Sequence, residues 1–224
     1  MKKHNVRIIN TPMVSELITK LRDIKTDSQL FRIYLKDISE LLIYESLDDV
    51  KMKKKCVPTQ TGVDFEGEII AEKIAFISIL RASLGMLSAA MEFYPSGEFH
   101  CLGMKRNEED PRNNEPHFYL DRLEEMNPKT DRVLVMDPML ATGGSMISAL
   151  KSIKEKHGFK GKIQVLSLIT AKPGAETIYK IFPEAEIICA GLDEQLNEHS
   201  YIIPGLGDAG DRLFGINTDL GSIQ

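Results

Sequence analysis

Residues 132–150 read RVLVMDPMLATGGSMISAL, and no other stretch restricts the fold so strongly. Val133, Leu134, Val135 and Met136 form a short unbroken apolar run, the pattern of a strand buried on both faces. Asp137 closes the run where such a strand would leave its sheet. Thr142, Gly143, Gly144 and Ser145 follow, small residues that let main-chain N–H groups approach an anion. Met146, Ile147, Leu150 and Ile153 then recur at helical spacing, which starts a helix near Gly144 or Ser145. A helix start carries unpaired N–H donors and partial positive charge. Strand, turn and helix together therefore predict a phosphate site.

Glycines alone would fit an ordinary strand-to-helix turn. The stretch lacks the Gly-Lys-Ser/Thr of a P-loop and the G-x-G-x-x-G of a dinucleotide fingerprint. Asp137 is the discriminating residue, because a carboxylate beside a phosphate cradle repels phosphate unless it has a partner of its own. Ribose hydroxyls are one candidate, since a carboxylate accepts two hydrogen bonds from a vicinal diol. A divalent metal is a second. The residues indicate a sugar-phosphate site, with the acid on the sugar and the turn on the 5′-phosphate.

The surrounding chain predicts an α/β fold. Thr11 and Pro12 open a first helix with Val14, Leu17, Ile18 and Leu21 on one face. Asp27 or Ser28 caps a longer one to about Tyr44, lined by Leu30, Ile33, Tyr34, Ile38, Leu41 and Leu42. Its broad apolar face suits a sheet or another subunit. Residues 57–72 read as extended, a peripheral hairpin. Residues 74–80, 99–104, 163–170 and 186–190 read as strands, with helices after Arg81 and from about Gly174 to Ile181. Such alternation argues for a largely parallel sheet flanked by helices, whose ligands sit at the carboxyl ends of the strands. Arg81, Arg106 and Asp137 each follow a predicted strand, so one site gathers them. Residues 105–121, dense in charge, read as a flexible lid.

Charge and cysteine content narrow the class. The formal net charge of −5 weighs against nucleic-acid and membrane-surface binding, and no run approaches the ~20 apolar residues of a membrane span. Cys56, Cys101 and Cys189 have no metal-ligand spacing, and an odd count fits reduced thiols in a cytoplasm. The basic run at residues 51–55 reads as a solvated face, with regulatory nucleotide binding as the weaker alternative.

Asp137-Pro138-Met139-Leu140-Ala141-Thr142-Gly143-Gly144-Ser145 closely resembles the signature of uracil phosphoribosyltransferases, within the type I phosphoribosyltransferase superfamily. The resemblance runs from about Arg22 to Gly215. It implies a type I phosphoribosyltransferase-like α/β fold over residues 1–224 as one domain. N-terminal helices would fill 1–50, beside a small hood, the lid and a uracil-binding loop at 196–212. It also implies that residues 137–145 bind 5-phospho-α-D-ribose 1-diphosphate (PRPP), helped by Arg81, Arg106 and Asp208. Ile202, Gly207, Asp208 and Ala209 would contact uracil, and Arg81, Arg106, Asp137 and Asp208 would carry catalysis. The implied reaction is uracil + PRPP → UMP + diphosphate, with Mg²⁺ held through the diphosphate and Asp208 as the candidate side chain. A homo-oligomer, dimer or tetramer, is implied, and allosteric activation by GTP in some members.

The chain departs from that pattern at two places. Ser83 stands where the family usually has Gly, and Ser78 where it has Pro. If position 83 needs φ > 0, its Cβ is strained by roughly 1 kcal/mol. A paralogue that binds ligand without turnover is therefore one competing expectation. A PRPP- or UMP-sensing RNA-binding regulator is another, opposed by the acidic balance. Ala171-Lys172-Pro173-Gly174, where relatives carry a Pro-Glu-Gly turn, reads as a helix entry tolerant of change. His199 reads as a loop-ordering histidine, and no side chain stands out as a general base.

Overall fold

The structure, a computed structural model, describes residues 6–105 and 117–216; Arg106 and most of the expected lid lie outside them. A short strand β1 (Val6–Ile8) precedes helix α1 (Pro12–Arg22). Thr11 caps α1 by accepting the Val14 N–H, with Pro12 in the first turn, where a missing N–H costs nothing. Asp27 caps α2 (Ser28–Ser46) by accepting the Leu30 N–H at 2.8 Å. The buried face of α2 is Phe31, Leu35, Ile38 and Leu42, whereas Leu30 and Ile33 are exposed. The expected stripe was rotated by part of a turn. α2 packs on α1 and on the sheet itself.

The hairpin pairs β2 (Met52–Pro58) with β3 (Asp64–Ile70). It begins earlier than expected, because the lysine run is its first strand. Lys54 faces Glu68 and Cys56 faces Glu66 across the ladder, so an acidic strand answers the basic one.

The sheet follows with β4 (Ile74–Leu80), helix α3 (Leu84–Phe93), β5 (Glu98–Lys105) and β6 (His117–Asp121). Next come β7 (Arg132–Met136), β8 (Met139–Leu140) and α4 (Gly144–Lys151). The chain continues through β9 (Lys162–Ala171), α5 (Lys172–Ile181) and β10 (Glu186–Asp193). Small strands β11 (Gln195–Leu196) and β12 (Ile202–Ile203) and helix α6 (Ala209–Phe214) complete it. The strand order is β1-β10-β9-β7-β4-β5-β6, with β8 also on β9. All pairs in this sheet are parallel except β5 with β6. The end of the expected excursion is thus an edge strand, Leu102 opposite Asp121. β1 escaped notice because three residues are too few to show a period.

Alternate residues of each strand feed two cores. Phe76, Leu134, Met136, Leu166 and Ile188 join α1, α2 and α3 on one face. Ala75, Ile77, Val133, Val135 and Val165 join α4 and α5 on the other. Among the described residues, no helix is long and apolar enough to cross a membrane.

At the amino ends of the strands, Arg132 is 2% exposed. Its guanidinium donates to Glu72 at 2.8 Å, Asp49 at 2.7 Å, the Ser46 carbonyl at 3.1 Å and Gln164 at 3.1 Å. A buried guanidinium is tolerable only when its donors are answered in this way. Burial alone would raise the pKa of Asp49, but hydrogen bonds from Lys162 and Arg132 outweigh it and hold the carboxyl at about 2. Because the folded pKa lies below the ordinary 3.8, this contribution is present above pH 3.8 and is lost as pH falls through about 2. Thermal melts of the wild type and Asp49→Asn are therefore expected to differ at neutral pH and converge across that window.

Candidate active site

Parallel strands deliver their carboxyl ends to one edge, where α/β ligands bind. Ser78 of β4 lies opposite Met136 of β7, so Arg81 and Asp137 leave neighbouring strands about 4.8 Å apart. Arg81 is exposed, in the turn between β4 and α3. Its guanidinium carbon lies 6.0 Å from the centre of the Phe214 ring on α6. The Leu80–Arg81 peptide bond is cis.

Asp137 is half-buried, where the chain leaves β7 and crosses to β9 as β8. Its Oδ1 lies 3.4 Å from the Met139 N–H, and the Pro138 carbonyl accepts the Ile169 N–H at 3.1 Å. Ala141, Thr142 and Gly143 then turn into α4, which starts at Gly144 as expected. Gly143 has φ +87°, a conformation that favours glycine. Asp137 and residues 139–146 line a small cleft of about 50 Å³. A larger depression of about 320 Å³ lies elsewhere, between β6 and the end of α4. Asp121 and Lys156 on its wall pair with each other at 2.7 Å.

Gly174 corrects one expectation. A Cβ placed there would lie 2.2 Å from the Ala141 carbonyl oxygen and 3.2 Å from that of Leu140. The entry to α5 is therefore the wall against which the glycine-rich turn rests, and it does not tolerate change. Neighbouring letters gave no hint of that contact; the glycine of the Pro-Glu-Gly pattern was the one available signal.

The 196–212 loop opens with β11 paired antiparallel to β12, Leu196 opposite Ile202. Ile202 is 8% exposed and belongs to the core. Gly205 has φ +59° and Gly207 φ +79°. Gly207 and Asp208 are exposed. Asp208 caps α6, its carboxylate accepting the Asp211 N–H at 2.9 Å. Gly210 lies within α6, where the cap and the buried Ala209 and Leu213 offset its flexibility. A Cβ built on Gly210 would stand 3.9 Å from the Ala82 Cβ. The Arg81 turn and the Asp208 loop thus face each other.

Two arginines that sequence reasoning missed fasten this loop. Arg22 forms two bonds to Asp193, at 2.7 and 2.6 Å, and one to the Gly205 carbonyl at 2.7 Å. The Gly205 N–H donates to Asp193 at 2.9 Å. Arg212 donates to the carbonyls of Leu21 and Leu206 at 2.6 and 2.8 Å, and lies 4.4 Å from the Phe31 ring centre. His199 is exposed. Asn197, not His199, orders the loop: its side chain accepts the N–H groups of His199 and Tyr201 at 3.0 and 2.9 Å.

Position 83 also corrects an expectation. Ser83 has φ −81°, an ordinary value for any L-residue, so its Cβ introduces no strain. Strain at position 83 therefore lends no support to a paralogue without turnover.

The family model described as uracil phosphoribosyltransferase matches residues 8–216. The chain belongs to the uracil phosphoribosyltransferase family. The relative from Metamycoplasma hominis that bears this name is 40% identical, over 94% of this chain and 98% of its own. That from Limosilactobacillus fermentum is 38% identical, over 93% and 97%. Among solved structures, the AQ2163 protein of Aquifex aeolicus superposes with a TM-score of 0.84 at 36% identity, covering 94% of this chain and 98% of its own. Adenine phosphoribosyltransferase from Leishmania donovani, at TM-score 0.52 and 12% identity over 89% and 88%, shares the fold alone. The family's α/β architecture, with a mostly parallel sheet between helices, is the one described above.

Proposed function

We propose that this chain transfers the phosphoribosyl group of PRPP to uracil, giving UMP and diphosphate in pyrimidine salvage. The uracil nitrogen gives up its proton to solvent and forms a bond to the anomeric carbon. The bond from that carbon to the diphosphate oxygen breaks, and the electron pair leaves with diphosphate. Positive charge builds on the sugar in between. Asp137 accepts the ribose hydroxyls, while Thr142, Gly143, Gly144 and Ser145 hold the 5′-phosphate at the start of α4. Arg81, with Arg106 from outside the described residues, meets the departing negative charge.

The loop at Ile202, Gly207, Asp208 and Ala209 reads uracil through its main chain. Cytosine is rejected because its amino group replaces an acceptor with a donor and leaves polar groups unpaired. Orientation and electrostatics carry the rate, with no covalent enzyme intermediate.

Among the described residues no cluster of three or more metal-binding side chains occurs. Asp208, exposed beside the Arg81 turn, suits the single carboxylate that Mg²⁺ typically takes alongside substrate phosphates. Bound in that way, the ion would neutralise charge on the diphosphate. The free thiols of Cys56, Cys101 and Cys189 fit a cytoplasmic enzyme.

The single supporting observation is the facing of three segments at one sheet edge: the Arg81 turn, the turn after Asp137, and the Asp208 loop. A coupled assay of UMP formation from uracil and PRPP, with and without Mg²⁺ and GTP, tests it. Asp137→Asn is expected to raise the KM for PRPP about tenfold while the fold is kept. Unchanged PRPP affinity would refute the ribose role. A rate gain on adding GTP would mark this chain as one of the GTP-activated members.

We also place the chain in a homodimer or homotetramer. Ile70 at the base of the hairpin packs on the first core, while Val63 and Phe65 near its tip are 67% and 59% exposed. A lone two-stranded hairpin is marginal in water, so a second copy is the natural cover for it. Light scattering should show a multiple of the 25.2 kDa chain mass, and Phe65→Asp should shift the protein toward monomer. The net charge of −5, with Glu68 opposite Lys54 on the hairpin, weighs against RNA binding.

A further inference from the structure

Ser78 lies in the buried part of β4, and Ser83 lies two residues beyond Arg81. Both are 0% exposed. Their hydroxyl oxygens are 2.6 Å apart, and Ser83 Oγ lies 2.5 Å from the Ile79 carbonyl oxygen. A serine hydroxyl has one proton and two acceptor sites, whereas a carbonyl has no proton. The proton between Ser83 and Ile79 therefore belongs to Ser83. The proton between the two hydroxyls must then come from Ser78. Donation runs in one direction, from Ser78 to Ser83 to the Ile79 carbonyl.

This relay closes a ring around the Arg81 turn. The same Ile79 carbonyl receives the Ser83 N–H at 3.4 Å, and the Arg81 carbonyl receives the Leu84 N–H at 3.1 Å. A serine at this position ordinarily turns its oxygen toward the first helical N–H groups. Ser83 makes no such cap to α3, because its hydroxyl is committed backward to the strand.

We infer that Ser78 and Ser83 form a clasp that positions Arg81 for the diphosphate of PRPP. Neither serine touches substrate; both are positioning residues, and their role rests on the reading of Arg81 proposed above. The directed relay makes the two unequal. Removing the Ser83 hydroxyl strands a buried donor on Ser78 and leaves the Ile79 carbonyl with the longer Ser83 N–H bond. Removing the Ser78 hydroxyl leaves the Ser83–Ile79 bond in place.

Steady-state UMP formation is to be measured for Ser78→Ala, Ser83→Ala, the double variant and Arg81→Ala, varying PRPP and uracil separately. Ser83→Ala is expected to raise the KM for PRPP about tenfold and to move that for uracil by less than about twofold. Ser78→Ala should raise the PRPP value by only about threefold. The double variant should be no worse than Ser83→Ala, since the stranded donor is gone. Should Ser83→Ala not fold, the same split in Ser78→Ala decides. A lowered melting temperature with unchanged PRPP KM in the serine variants would overturn the clasp. If Arg81→Ala is impaired in that case, the clasp falls alone; if Arg81→Ala is also normal, the diphosphate role of Arg81 falls with it.

Discussion

Gly174→Ala is expected to cut kcat/KM for PRPP by about 100-fold, the scale of loss that follows a misplacement of about 1 Å at a reacting centre. The added methyl would stand 2.2 Å from the Ala141 carbonyl oxygen and 3.0 Å from its carbon. Both are backbone atoms, so no side chain can rotate out of the way. Either the turn at residues 140–145 retreats or α5 does. The turn is the weaker partner, because α5 is anchored by the buried Ala175 and Ile178, whereas Thr142 is exposed at the apex. Overpacking of this kind costs about 1–3 kcal/mol, which lowers the melting temperature by about 3–10 °C in a chain of this size. The fold should survive. A comparable fall in melting temperature with normal PRPP kinetics would show that α5 moved instead.

Asp193→Ala is expected to act at the other end of the site. The Asp193 side chain is 7% exposed and the Arg22 side chain 21%. Losing the carboxylate leaves a largely buried guanidinium unpaired, which costs about 3–5 kcal/mol and lowers the melting temperature by about 10 °C. The Gly205 N–H loses its acceptor in the same step. Gly205 is where the chain turns back before Asp208, so the loop beyond it gains freedom. The KM for uracil should rise at least about tenfold, with a smaller change for PRPP. Asp193→Asn, which keeps one acceptor oxygen, should fall between the two. Equal changes in both KM values would mean that the ion pair supports the fold without favouring the base-binding loop.

These two residues show where sequence reasoning stops. Asp137, the turn at residues 142–145 and the start of α4 were all visible in a single run of letters. Arg81 was visible because a strand ends just before it. Gly174 was read as dispensable, since nothing beside it in the chain reveals the Ala141 carbonyl. Strain at Ser83 hung on the sign of φ, which is not written in a residue's name; the structure gives −81°. Arg22 sits in the last turn of α1, and its partner Asp193 is 171 positions away.

The amino-acid sequence by itself determined the local devices of this protein. These are the caps at Thr11 and Asp27, the apolar strands, and the acid followed by a glycine turn and a helix. Each depends on residues a few positions apart, whose propensities and hydrogen bonds are settled before distant parts meet. Only the tertiary structure decided which backbone stands against Gly174, which carboxylate answers Arg22 or Arg132, and which way the serine protons point. Those outcomes arise when separate elements are packed at van der Waals distance, where one methyl group or one unpaired donor counts and no neighbour in the chain records it.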